Sequence, residues 1–119
     1  MRRAQHEQDI QRAVFAHLKL RAAPGVFAFH PANGGLRPKT EAAILQALGV
    51  RAGVPDIIAF RAGKAYALEI KTAVGKLTPA QRAVHAQLVD AGVATATTFG
   101  LSQSLARLEA WGLLRGRSQ

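Results

Sequence analysis

Pro55-Asp56-Ile57-Ile58-Ala59-Phe60-Arg61-Ala62-Gly63-Lys64-Ala65-Tyr66-Ala67-Leu68-Glu69-Ile70-Lys71 reads as a β-hairpin. Asp56 to Phe60 forms one strand, Arg61 to Lys64 the turn and Ala65 to Lys71 the returning strand, since β-branched and aromatic runs flank a Gly-containing tetrapeptide. With Ala62-Gly63 as a two-residue loop, Arg61 pairs with Lys64, Phe60 with Ala65 and, counting outward, Asp56 with Glu69. The two acids then face each other across the ribbon, with Cβ atoms about 4.5–5.5 Å apart. Lys71 joins them on the same face because strand side chains alternate with a period of two. A three-residue loop would slip the pairing by one and send the acids to opposite faces.

Like charges directly opposite each other repel, and a carboxylate in an apolar strand without a partner costs several kcal/mol or shifts its pKa. Lys71 offsets part of that as an ion pair. Two opposed hard oxygen donors are also the ligand set taken by Mg²⁺ or Mn²⁺, with water and a substrate phosphate completing the octahedron. The arrangement therefore suggests a metal-dependent phosphodiesterase. Two plainer readings stand beside it: Asp56, after Pro55, as a turn acid bonded to local backbone donors, and Lys71 as a structural ion pair.

The bulk properties agree. A chain of 119 residues, 49% hydrophobic, is long enough for one core and too short for two, so residues 1–119 are expected to form a single domain, with its core over about 5–111 and a basic tail over 112–119. Sixteen Lys and Arg against seven acids give a net charge of +9, and such an excess in a small domain points to a polyanionic partner, of which nucleic acid is the commonest. With no cysteine, disulfides and thiolate zinc sites are excluded. Polar residues follow Met1-Arg2-Arg3 where a signal peptide needs an apolar run, and no segment is apolar over a bilayer's width; a cytoplasmic protein is expected.

Working outward, Ile10, Val14 and Leu18 recur at a spacing of four and mark an amphipathic helix from about Gln5 to Leu20. Glu7 lies on that stripe. Either the helix dipole favours a carboxylate in the first turn, or Glu7 points at the acidic pair. Val26 to His30 reads as a short buried strand and Pro31 to Lys39 as a surface loop. Asn33, Gly34, Gly35, Arg37 and Lys39 are its candidate DNA contacts, since glycine permits close approach to phosphate and the cations supply charge; a solvated loop is the alternative. Thr40 to Leu48 is a short helix. Thr78-Pro79-Ala80-Gln81 opens another, with Thr78 as N-cap, Pro79 in the first position and Gln81 either closing a capping box or contacting the site. That helix runs to about Ala91, and Val93 to Phe99 is a strand parallel to its predecessor because a helix connects them. Ser102 is expected to cap a last helix bearing Leu105, Leu108 and Trp111. Lys64, Lys76 and Arg82 flank the acids. The four histidines show no ligand spacing and read as structural or surface residues, with His30, just ahead of the loop, the one worth testing. The order predicts an α/β fold, a mixed central sheet covered by helices on both sides.

Gly53-Val54-Pro55-Asp56, then Glu69-Ile70-Lys71, Gly75-Lys76-Leu77 and Gln81, resembles the VRR-NUC branch of the PD-(D/E)xK nucleases. The likeness implies a restriction-endonuclease-like αβββαβ core. It implies Asp56 and Glu69 as metal ligands joined by the backbone carbonyl of Ile70, a Glu such as Glu7 completing the acidic cluster, and Lys71 with Gln81 beside the reaction. It further implies a homodimer that cuts branched DNA such as four-way junctions, of phage or bacterial origin. Two other functions remain: a non-catalytic nucleic-acid-binding module, and a nonspecific or RNA-directed nuclease.

Overall fold

The computed structural model describes residues 6–32 and 38–116. Its elements run α1 (Glu7–Arg21), β1 (Phe27–Phe29), α2 (Lys39–Ala47), β2 (Ile57–Arg61), β3 (Lys64–Lys71), α3 (Pro79–Asp90), β4 (Ala94–Phe99) and α4 (Leu101–Ala110), the order expected from periodicity.

The hairpin has the register derived from its loop length: Arg61 opposite Lys64, Phe60 opposite Ala65 and Ile57 opposite Leu68. Its two central residues both take positive φ, 51° at Ala62 and 79° at Gly63. This is the pattern of a type I′ turn, whose backbone twist matches the right-handed twist of the strands. The sheet order is β1-β2-β3-β4; β1, β2 and β3 are antiparallel neighbours, and β4 runs parallel to β3 after the α3 crossover.

The core lies on one face of this sheet. Ile57, Ala59, Leu68 and Ile70 point there and pack with Ile10, Val14 and Leu18 of α1 and Leu105 and Leu108 of α4. Each fully buried Leu or Ile contributes roughly 1.5–3 kcal/mol. Acids in the first turn of α1 and Lys19 and Arg21 in its last complement the helix dipole.

Several expectations change. The strand around Phe27 is not buried: Phe27 is 64% exposed and Phe29 40%. The reason is the second face of the sheet, where α3 packs near β4 and the rings of Phe27, Phe29 and Phe60 meet one another instead of a helix. Helices therefore cover one face fully and the other only in part. The short helix α2 buries none of its residues, and Ile44 and Leu48 stand 61% and 76% exposed. Gly100, with φ of 87°, rather than Ser102 precedes α4 as N-cap, and Ser102 falls in the first turn. The C-terminal end of the core also extends further than expected, because Leu113 and Leu114 are apolar and enter it. Leu114 bridges to Ala22, and Arg115 N–H donates to the Arg21 carbonyl. Among the described residues no helix is long and apolar enough to cross a membrane.

Candidate functional site

The acids stand at the open end of the hairpin, away from its turn. Pro55 is buried, and Asp56 occupies the bend immediately before β2, across from Glu69 by continuation of the register. The Ile70 N–H donates to Asp56 Oδ2 at 2.8 Å. On the backbone side, His30 Nδ1 lies 2.7 Å from the Asp56 carbonyl; a carbonyl only accepts, so this nitrogen carries the hydrogen. Asp56 is held through both its carboxylate and its main chain.

Glu69 is 2% exposed. Two side chains on successive turns of α3 face its oxygens: Gln81 Nε2 donates to Oε2 at 3.3 Å, and His85 Nε2 stands 3.3 Å from Oε1. The helix begins where its motif predicts. Gln81 N–H donates to Thr78 Oγ1 at 3.1 Å, and Thr78 N–H donates to Gln81 Oε1 at 2.9 Å, a complete capping box. Because the cap engages the amide oxygen, the amide nitrogen is left to face Glu69. Capping and site contact, alternatives in the sequence, are both made by this one side chain. The segment before Asp56 is locked to the same helix turn: Gly53 has φ of 90°, and a Cβ there would lie 2.6 Å from the Ala80 carbonyl oxygen.

Burial, followed by hydrogen bonding to and repulsion from the Asp56 carboxylate, raises the Glu69 carboxyl from 4.5 to about 9; Lys71 opposes this, and Glu7 adds to it. The register that opposes the two acids thus disfavours ionisation of both at once. His85 is lowered from 6.5, first by burial and then by Lys71, against a smaller raising effect of Asp56. Lys71 is 6% exposed and on the acids' side of β3. Its Nζ lies 3.9 Å from Glu7 Oε2.

Glu7 thus reaches the site edge but pairs with Lys71. Among the described residues no ready-made group of three or more metal-ligating His, Cys, Asp or Glu side chains is present; the acids here are the Asp56 and Glu69 pair, with Glu7 at its edge. A cleft of about 960 Å³ opens over the pair, bordered by Glu7, His30, Gly53, Thr78 and Gln81. Ile70 touches the site through its N–H. Lys39 and Lys76 are exposed, while Asn33, Gly34, Gly35 and Arg37 lie outside the described residues.

The structure adds residues the sequence did not mark. Gln8, Gln11 and Arg12 line the same cleft from α1, and their positions at 8, 11 and 12 beside Glu7 form one helical stripe that spacing could have revealed. His85 is four residues past Gln81, on the same side of α3. The signal was there, but the absence of metal-ligand spacing among the histidines hid it.

A mixed sheet whose hairpin brings two carboxylates and a lysine to one cleft, backed by a Gln-bearing helix, is a restriction-endonuclease-like α/β fold. More narrowly, the chain has the fold of a VRR-NUC domain: it is similar to a solved structure described as a "VRR_NUC domain protein", with a TM-score of 0.75 and 22% identity over 99% of both chains. No family model matches the sequence, and no curated protein matches it.

Proposed function

We propose that this chain is a nuclease that hydrolyses DNA phosphodiester bonds with Mg²⁺ or Mn²⁺, acting on branched DNA as a homodimer in the manner of a Holliday junction resolvase. The observation that carries it is Glu69, a carboxylate 2% exposed and facing a second carboxylate. Among the described residues Lys71 is the ammonium that offsets them, and a hard divalent cation would remove the penalty that otherwise favours a protonated Glu69. The donor set fits such an ion.

Asp56 and Glu69 would hold it, with the Ile70 carbonyl as the resemblance implies and Glu7 at the margin. A bound ion supplies Lewis-acid polarisation of a phosphoryl oxygen and a water of lowered pKa. The chain's own groups do the rest. The Ile70 N–H and His30 keep Asp56 in position, and Gln81 steadies Glu69. Lys71, held by Glu7, orients the attacking water or stabilises the added negative charge on the pentacovalent phosphate. The net charge of +9 draws the polyanion in, with Asn33, Gly34, Gly35, Arg37, Lys39 and Lys76 as backbone contacts.

Likeness to a VRR_NUC domain protein supports the nuclease reading. The exposed Ile44 and Leu48 of α2 and the open aromatic face of β1 support the homodimer, since a small domain rarely leaves such surfaces uncovered. A cytoplasmic setting in a bacterial or phage context completes it. The test is cleavage of four-way junctions and linear duplex by wild type and Asp56→Ala in Mg²⁺ or Mn²⁺, with binding followed in Ca²⁺. We expect paired nicks in junctions, loss of cutting below detection in Asp56→Ala and retained binding. Wild type that binds DNA but never cuts it would make the chain a binding module, and equal cutting of RNA or linear duplex would make it a nonspecific nuclease.

A further inference from the structure

The contacts from α3 to the acidic pair do not end at Gln81. His85 lies one turn further along, 9% exposed, with Nε2 at 3.3 Å from Glu69 Oε1. With Glu69 ionised, as a ligand to a cation would be, its oxygens only accept, and Nε2 then carries the hydrogen in either charge state of the ring. Gln81 takes the other oxygen, also at 3.3 Å. The terminal torsion of a glutamate is broad and has little preference of its own. Two donors spaced by one turn of a capped helix, one on each oxygen, fix that torsion from outside.

We propose that His85 is a positioning residue that holds the Glu69 carboxylate in the rotation that meets Asp56, and so strengthens the pair's grip on a divalent cation without touching ion or substrate. This rests on the reading of Asp56 and Glu69 as the ligands. A buried imidazole costs stability unless it is bonded, and a residue needed only to fill space beneath α3 would serve better as an aliphatic one. The bond to Glu69 is what the imidazole contributes. Partners that orient a ligand in this way are typically worth about 10–100-fold in metal affinity.

The test is Mn²⁺ titration by calorimetry or by the loss of the free-ion electron paramagnetic resonance signal, on the whole chain without nucleic acid, beside thermal unfolding of each variant. Wild type should bind, and Glu69→Gln should not. His85→Leu should bind about 10–100-fold more weakly while melting no lower than wild type. His85→Gln, which offers a donor at similar reach, should recover most of the affinity. Unchanged affinity in His85→Leu, a loss that His85→Gln does not recover, or a loss that tracks a lowered melting temperature would each overturn the role of His85 while leaving Glu69 a ligand. Wild type that binds no better than Glu69→Gln would overturn the ligand assignment itself, and His85 with it.

Discussion

The two faces of strand β3 differ as much as any two parts of the molecule. Leu68 and Ile70 point into the core among side chains of α1 and α4, while Glu69 and Lys71, their immediate neighbours in sequence, point the other way and are nearly as buried. Burial has opposite consequences on the two sides. For the aliphatic residues it is the source of stability, whereas for Glu69 it raises the pKa and leaves a carboxyl that must share a proton or find a cation. One face holds the fold together, and the other holds a group out of its preferred state.

The largest break between them should come from paired substitutions. Ile70→Ala should cost about 2–5 kcal/mol, as removal of a buried aliphatic side chain does, read by urea unfolding. Glu69→Gln should unfold at the same or higher urea concentration in chelator, yet lose Mn²⁺ binding. Equal destabilisation by both would mean that the acidic face is merely core.

A pH series sharpens the contrast further. From 4.5 to about 9 the folded chain keeps a proton on Glu69 that the unfolded chain releases, so the Glu69 contribution to stability falls as pH rises through that window. The lowered pKa of His85 acts below 6.5, where the unfolded chain takes up a proton that the folded one refuses, so its contribution is lost as pH falls. Thermal melts in EDTA should decline from pH 6.5 to 9, and Mn²⁺ should flatten that decline. A flat profile in EDTA would show that Glu69 is ionised without help.

The smallest effect belongs to the far end of the ribbon. Ala62 holds φ at 51°, a region that costs a residue with a Cβ roughly 1–2 kcal/mol. Ala62→Gly should stabilise by about 0.5–1 kcal/mol, part of the gain being lost to the greater freedom of glycine in the unfolded chain. Metal binding should not change. A shift in Mn²⁺ affinity would mean that the turn and the acids are coupled along the hairpin.

Much of this could be read before any coordinates. Strand alternation and a two-residue loop are rules of local geometry, so the register that brings Asp56 opposite Glu69 followed from counting. The capping motif at Thr78 was local for the same reason. What escaped depends on coverage. Phe27 and Phe29 look like core in sequence, and only the reach of α3 decides that they stay exposed. Ile44 and Leu48 sit on a helix read correctly as a helix, yet it buries none of its residues, which its local sequence does not foretell. Gln81 was marked by its motif, whereas His85, four residues further along the same side of α3, was passed over because the histidines show no ligand spacing, and its contact with Glu69 comes only from the packing of helix on strand.

The shared duty of Gln81 constrains what this helix can become. Glu and Gln are the residues that complete a capping box, and for helix stability Glu is the usual choice near an N-terminus because of its charge. Here the same atoms stand against a buried carboxylate, where a third anion would be repelled. The more stabilising of the two caps is thus disfavoured in this chain, and a change of residue 81 made to toughen α3 would also change what faces Glu69.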